Sequence, residues 1–294
     1  MKNRSIALLK LALSMAIFGS IGLFVRNIPL QSSAIAFVRA VVGTAFLFLI
    51  LTFGKKRISF ATLRKYGVTL LLSGCALGFN WILLFQAYKF TSVAQATLCY
   101  YMAPILVILA SPMLLREKLT AKKLLCVLVA FCGMVFVSGV TNLRNQTLNV
   151  TGILLGLGAA VLYAFVMLMN KCQQEIPTFE RTIFQLAISA IVLLPYNLLT
   201  GGFQGAMMNG GQFLLLLAVG VIHTGLAYYL YFSAMTHLPG QTIAIVSYSD
   251  PVIAVLISVI VLMEGVSWFE ILGAVLIIGA AIFSELPSRK EKTL

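Results

Sequence analysis

The sequence predicts an all-α integral membrane protein with ten transmembrane helices, arranged as two inverted five-helix repeats. Three observations predict this fold class. Of the 294 residues, 61% are apolar and only 10% carry charge, against roughly 25% charged residues in an ordinary soluble domain. The chain divides into apolar runs of the length that crosses a bilayer. Its two halves match each other at a constant offset, with an odd number of runs in each half.

The composition excludes the main soluble classes of protein. The mean hydropathy is +1.02, and a soluble fold of this length could not bury so much apolar surface. The net charge of +13 would suggest nucleic-acid binding in a soluble chain. Here the Lys and Arg residues cluster between apolar runs, so we expect no nucleic-acid partner. The five cysteines lie in or beside apolar runs without metal-site spacing, so we expect no metal and no other cofactor.

The apolar runs are about as long as a bilayer-crossing helix, which needs about 20 residues. The first run, Ser5–Val25, is long enough to span and has no A-x-A-like cleavage site, so it is predicted to be a membrane helix and not a signal peptide. The short segments between the runs leave no room for an extramembrane domain. The predicted spans are 5–25, 33–53, 66–88, 93–115, 121–140, 151–171, 182–199, 212–236, 242–263 and 266–285.

The positive charges predict the orientation of these spans. If the N-terminus is inside, only Arg26, Lys89 and Arg144 fall in outside segments. Basic residues concentrate on the cytoplasmic side of multi-pass proteins, so both termini are predicted to be cytoplasmic in a plasma-membrane protein. The basic residues of the inside segments are Lys2, Arg4, Lys55, Lys56, Arg57, Arg64, Lys65, Arg116, Lys118, Lys122, Lys123, Lys171, Arg181, Arg289, Lys290 and Lys292.

An internal repeat relates residues 1–145 to residues 146–294 at an offset of 147 positions. Five spans in each half force the second copy to enter the membrane from the opposite side. Inverted repeats of this kind build secondary transporters, with the substrate site near the midplane between the halves. Identical pairs within 78–120 are Gly78/Gly225, Leu83/Leu230, Phe85/Phe232, Ala87/Ala234, Tyr101/Tyr248, Pro104/Pro251, Leu109/Leu256, Ser111/Ser258, Leu115/Leu262 and Glu117/Glu264.

Several motifs together resemble one known family. They are Phe18-Gly19, Arg39, Pro104, residues 115–120 (Leu-Arg-Glu-Lys-Leu-Thr), Gly133, residues 248–252 (Tyr-Ser-Asp-Pro-Val), Met263-Glu264, Gly273 and Gly279. The chain resembles, over its whole length, the EamA-type branch of the drug/metabolite transporter superfamily, and it departs from the usual pattern at Cys126 and at 265–267. The resemblance implies export of amino acids or other small metabolites. It also implies that spans 5 and 10 form a scaffold while the other spans surround a central cavity.

Asp250 is the only carboxylate well inside a predicted span. Placing a carboxylate there costs roughly 2.5–3.5 kcal/mol on insertion scales, so a functional role is the default hypothesis. Asp250 could hold a proton or contact a substrate ammonium group. It also precedes Pro251, and Asp at the N-cap with Pro at N1 is the pairing expected where a helix restarts. Both interpretations stay open, and one carboxylate could serve both.

Pro104 and Pro251 are predicted to break their helices near the middle of the membrane, because proline lacks a backbone donor and disfavours helix at the residue before it. The half-helices would then point their N-termini toward the midplane, where their dipoles suit an anionic group. The alternative is a plain kink that shapes packing.

Arg39 lies about seven residues into the second span. To be tolerated there it must face the helix bundle. It could hold a substrate carboxylate, or it could pair with Asp250 or with a half-helix carbonyl; structural pairing is the commoner fate of such a residue.

Aromatic and amide side chains concentrate in spans 3, 4 and 8, where lipid cannot satisfy their polar atoms. Each could equally be a helix–helix contact, but as a set they indicate an aromatic, weakly polar pocket. The candidate substrate-binding residues are therefore Asp250, Arg39, Asn80, Trp81, Tyr100, Tyr101, His223 and Tyr248.

The sequence thus predicts a secondary-active transporter, most simply an exporter of amino acids or related metabolites, working by alternating access. A multidrug exporter or a nutrient importer of the same fold is the alternative. The sequence has no P-loop, HExxH or nucleophile elbow, so it is not expected to be an ATP-driven pump or an enzyme. A small-molecule substrate and the lipid bilayer are the expected partners, with protons as a candidate coupling ion. One chain can enclose the site, so a monomer suffices.

Overall fold

A computed structural model describes residues 2–54, 60–91, 93–137, 149–204, 207–263 and 267–286. All the regular secondary structure in these residues is helical, as predicted. The helices are α1 (Lys2–Val25), α2 (Ser32–Phe53), α3 (Phe60–Phe90), α4 (Val93–Tyr100), α5 (Ala103–Leu114), α6 (Ala121–Val137), α7 (Val150–Cys172), α8 (Thr178–Thr200), α9 (Gly210–Gly220), a π-helical turn (Val221–Leu226), α10 (Ala227–Met235), α11 (Gly240–Ser247), α12 (Ser249–Leu262) and α13 (Trp268–Glu285).

Eight helical stretches of the described chain are long and apolar enough to cross a membrane. The predicted count of ten is not confirmed, because α6 has 17 residues and the apolar part of α13 is short, at Trp268–Ser284. The boundary predicted at 145/146 and the ends of several predicted segments lie outside the described residues. The eight stretches are Asn3–Val25, Ser32–Phe53, Arg64–Phe90, Gln95–Leu114, Val150–Cys172, Thr178–Thr200, Gly210–Met235 and Gly240–Val261.

Helix packing follows the internal repeat. Helix α1 packs on α10 and α12, and α7, its counterpart in the second half, packs on α3 and α5. Helices that correspond to each other also meet directly, α2 with α8 and α6 with α13. The two halves are therefore intertwined around a pseudo-twofold relation.

The α6–α13 pair shows the direction of that relation. Lys122, at the start of α6, lies 5.0 Å from the ring centroid of Phe283 near the end of α13. Phe136, near the end of α6, stacks on Phe269 at the start of α13 with centroids 6.0 Å apart. These corresponding helices therefore run antiparallel. The close crossing depends on Gly133, where an added Cβ would lie 2.9 Å from Cγ1 of Ile277.

The segments that contain Pro104 and Pro251 are each divided into two helices. Turn residues Tyr101 and Met102 separate α4 from α5, which has Pro104 in its first turn, and Tyr248 separates α11 from α12. Met102 and Tyr248 keep right-handed helical backbone angles. One detail of the prediction is wrong. Helix α12 begins at Ser249, so Asp250 lies in its first turn and is not its N-cap.

Arg181, counted above among the loop charges, is fully buried near the start of α8. Its Nη1 donates to the carbonyls of Asn170 (3.0 Å) and Gln173 (2.8 Å) at the end of α7. Both carbonyls lie at the C-terminal end of α7, where carbonyls lack the N–H of a following helical turn. The arginine therefore acts as a cap for α7 rather than as a surface charge.

Candidate functional site

A cavity of about 260 Å³ lies between the two halves, beside both helix breaks. It reaches Ile21 and Tyr88, close to the ends of α1 and α3, so it extends toward the end of the molecule where those helices terminate. Its lining residues are Met15, Phe18, Ile21, Arg39, Trp81, Leu84, Phe85, Tyr88, Tyr100, Tyr101, Ala103, Pro104, Tyr163, Tyr228, Ser247 and Asp250.

Arg39 is positioned by a close approach of α2 to the π-helical turn. At Gly43, one turn after Arg39, an added Cβ would lie 3.0 Å from the backbone nitrogen of Gly225. This approach brings Nε of Arg39 within 2.9 Å of Oγ1 of Thr224. The guanidinium also lies over Trp81, 5.2 Å from the ring centroid, a cation–π geometry that holds it in the cavity wall.

Asp250 reaches the cavity from the first turn of α12, and its Oδ1 accepts a hydrogen bond from the hydroxyl of Tyr101. Helix α1 passes close by, since an added Cβ at Gly19 would lie 2.7 Å from Cβ of Ile253. The positive end of the α12 dipole favours a carboxylate in this first turn. Helix geometry and one tyrosine thus stabilise the negative charge.

Aromatic rings form much of the remaining wall. Tyr100 stacks on Tyr163 with centroids 5.3 Å apart. Tyr228 meets Phe18 edge-on at 5.2 Å and Trp81 at 6.1 Å. Such packed rings present a rigid surface to a flat or apolar ligand.

Five of the eight candidate residues meet in this cavity, namely Asp250, Arg39, Trp81, Tyr100 and Tyr101, together with the helix-break residue Pro104. Pro251 is not part of the lining. Sequence reasoning missed Tyr163 as a site residue because it lies in an apolar span with no polar or motif neighbour. Phe18 is identified from the sequence only as part of a family motif, and the aromatic content of span 8 does not single out Tyr228.

The other three candidates are absorbed into packing. Asn80 is fully buried and donates through Nδ2 to the Ala159 carbonyl at 2.6 Å. His223 contacts Ser20 Oγ through Nε2 at 3.0 Å, because the π-helical turn changes which face of the span it occupies. The buried Tyr248 donates its hydroxyl to the Tyr101 carbonyl at 2.8 Å, so these two corresponding residues meet at the pseudo-twofold relation.

The cavity thus exposes one cation and one carboxylate to the same space. Among the residues that the structure describes, no ion pair joins Arg39 or Asp250 to an opposite charge. Such an arrangement can bind a ligand that carries both an anionic and a cationic group beside an apolar body. Within the same residues no group of three or more His, Cys, Asp or Glu side chains is placed to hold a metal ion.

The fold and the site define a multi-pass membrane protein with a central small-molecule cavity. The chain belongs to the EamA-like transporter family, whose model matches residues 5–139 and again residues 150–285. A protein of known crystal structure shares the fold with a TM-score of 0.84 at 23% identity, covering 98% of this chain and 99% of the other.

Two curated relatives illustrate the range of the family. An uncharacterized transporter, YxxF of Bacillus subtilis, is 32% identical over 278 residues, covering 94% of this chain and 88% of the relative. The aromatic amino acid exporter YddG of Ancylobacter novellus is 25% identical over 209 residues, covering 70% of this chain and 71% of the relative. Proteins of this family are transporters, so the chain is a transporter.

Proposed function

We propose that this transporter is a secondary-active exporter of amino acids or related small metabolites across the plasma membrane, working by alternating access. Ten spans would form two inverted repeats, 1–145 and 146–294, with both termini cytoplasmic. The excess of basic residues in the segments assigned to the inside supports this orientation. The antiparallel contact of α6 and α13 supports the inversion.

The observation that carries the substrate class is the pair of opposite charges in one aromatic cavity. Arg39 would bind the α-carboxylate and Asp250 the α-ammonium group, with the side chain against Tyr100, Tyr163 and Tyr228. A volume of about 260 Å³ lies just below the roughly 300–1,000 Å³ of drug-sized sites, which suits a single amino acid. The name of the relative YddG, an aromatic amino acid exporter, supports the same class.

The decisive experiment compares three ligands that differ in one charge. Purified protein in liposomes is tested by counterflow with phenylalanine, with phenethylamine, which lacks the carboxylate, and with 3-phenylpropanoate, which lacks the ammonium group. Arg39→Gln should weaken the counterflow of the ligands that carry a carboxylate and leave that of phenethylamine unchanged. Asp250→Asn should weaken the counterflow of the ligands that carry an ammonium group and leave that of 3-phenylpropanoate unchanged. A charge-assisted hydrogen bond contributes about 1.5–3 kcal/mol, so each loss should be about 10- to 100-fold.

Arg26→Gln is the matched control, since Arg26 lies beyond the end of α1 and outside the cavity lining. Equal weakening of the counterflow of all three ligands by both cavity variants would contradict the assigned contacts.

The multidrug alternative is supported by a single carboxylate among aromatic rings, which would also suit a lipophilic cation. Counterflow of tetraphenylphosphonium without counterflow of any amino acid would favour that alternative.

A further inference from the structure

A cluster of hydrogen bonds joins the two halves at one end of the molecule. The cavity extends toward the opposite end, where Ile21 lies. We call this cluster the 117–241 junction, and it consists of Ser111, Glu117, Lys118, Gly240 and Gln241. The Glu117 carboxylate accepts hydrogen bonds from the backbone N–H of Gly240 at 2.7 Å and of Gln241 at 3.3 Å. These are free donors of the first turn of α11, where the helix dipole favours a negative charge.

Gln241 completes the junction from the opposite direction. Its side-chain Nε2 donates to Oγ of Ser111 at 2.9 Å and to the carbonyl of Lys118 at 3.4 Å. The side chain is 3% exposed, so these hydrogen bonds are shielded from water. Gly240 permits the close contact, because an added Cβ would lie 2.9 Å from Cδ1 of Leu115.

Helix α11 connects this junction to the cavity. It starts at Gly240 in the junction and ends at Ser247 in the cavity wall, a distance of about 10 Å at 1.5 Å per residue. The intervening residues Ile243, Ala244 and Ile245 are at most 1% exposed. These buried residues lie between the junction and the cavity, and the cavity lining reaches Ile21 and Tyr88 toward the other end.

The internal repeat relates the residues of the junction to equivalent positions at the offset of 147. Arg116, just before Glu117, has φ +55°, and its counterpart Met263 has the same φ, so the backbone feature that precedes the glutamate is kept. The sequence counterpart of Gln241, however, is Ala94, and that of Gly240 is Val93. An alanine cannot supply the side-chain hydrogen bonds of Gln241. The sequence therefore has no counterpart of the Gln241 amide at the equivalent position.

We propose that Glu117 and Gln241 are positioning residues that close the cavity at the junction end, and that they bias the resting transporter toward the conformation open at the other end. This inference rests on the alternating access proposed above, but not on the substrate. Loss of either residue would shift the population toward the state that is open at the junction.

The test measures from which side a cavity cysteine can be reached, with no substrate present. Ser247→Cys is introduced after the five native cysteines are replaced, and a membrane-impermeant maleimide is added to right-side-out or inside-out vesicles. When Glu117 and Gln241 are unchanged, labelling of Ser247→Cys from the junction side should be at least tenfold slower than from the other side. Gln241→Ala, Gln241→Glu and Glu117→Gln should each raise the junction-side rate about fivefold or more and lower the opposite rate.

Glu175→Gln is the control. Glu175 also joins the two halves, through Lys65 at 3.1 Å and through Tyr66. The hydrogen bonds from Tyr66 and Lys65 lower the pKa of its carboxyl group. Its side chain is 73% exposed, and exposed ion pairs contribute little, so its labelling rates should not change.

Unchanged rates in the three junction variants would overturn the proposal. Faster labelling from both sides would also overturn it, because general loosening of the fold opens both ends. If Glu117→Gln fails to fold, the two Gln241 variants decide alone. Failure of amino acid transport would leave these labelling results intact, so the two proposals fail separately.

Discussion

Single residues decide which chemistry the cavity offers. The Asp250 carboxylate is tolerated between the halves because Tyr101 donates to it and the first turn of α12 surrounds it with positive potential. Arg39 is tolerated because Thr224 and Trp81 receive its guanidinium. Within the described residues Arg39 and Asp250 form no ion pair with each other, so each can still bind a ligand group of opposite charge.

A variant of Asp250 can show whether transport is coupled to protons. In liposomes with an imposed pH gradient, we expect the wild-type protein to transport amino acid faster than without the gradient. Asp250→Asn should remove this acceleration, because Asp250 is the one carboxylate that the described part of the chain contributes to the cavity lining. Arg39→Gln should transport less but keep the ratio of the two rates. An equal ratio in wild type and Asp250→Asn would exclude the carboxylate from coupling.

At the scale of helices, glycines set the spacing that brings side chains into the site. Gly43 allows α2 to reach the π-helical turn, and Gly19 allows α1 to reach α12. Gly74 and Gly78 do the same for α3 against Ile188 and Val192 of α8. Small residues are the usual means of close helix contact in membranes, where no hydrophobic force drives helices together.

The α6–α13 crossing gives a stability prediction. Gly133→Ala adds a methyl group where the facing backbone and Ile277 leave no space, and overpacking costs about 1–3 kcal/mol. We expect a lower melting temperature in detergent, measured by thermal aggregation or fluorescence. Gly279→Ala is the control, since nothing lies within 4 Å of its added Cβ, and alanine is the better helix former. A lower melting temperature for Gly279→Ala than for Gly133→Ala would contradict this account.

The whole molecule is organised by the relation between its halves. Residues that correspond at the offset of 147, such as Tyr101 and Tyr248, meet at the centre, and corresponding helices pack antiparallel at the periphery. In secondary transporters, inverted halves related in this way underlie alternating access, which is the mechanism proposed for this protein.

This relation predicts the sidedness of two exposed positions. Arg116→Cys and Met263→Cys, introduced singly into the cysteine-free protein, should react with an impermeant maleimide from opposite faces of the membrane, Arg116→Cys from the cytoplasm. Both native residues are exposed and have φ +55°, so the two substitutions impose the same backbone demand. Labelling of both from one face would rule out inverted halves.

Residue types alone were enough to predict the class of this protein, and they also led us to expect helix breaks at the two prolines and charged side chains within the membrane. Those features depend on residue type alone: lipid excludes polar backbone and isolated charge wherever they occur, and proline lacks its donor in any context. The sequence predicts ten spans, and eight helical stretches of the described chain are long and apolar enough to cross a membrane.

Which side chains share the cavity depends on the packing of the helices and could not be predicted from the sequence. Asn80 and His223 had the right chemistry but face neighbouring helices, whereas Tyr163 had no signal in its segment and lines the wall. The rotation of each helix about its axis is fixed by glycine contacts and by a π-helical turn formed against another helix. Contacts between residues far apart in the chain set that rotation, so no local pattern could have predicted it.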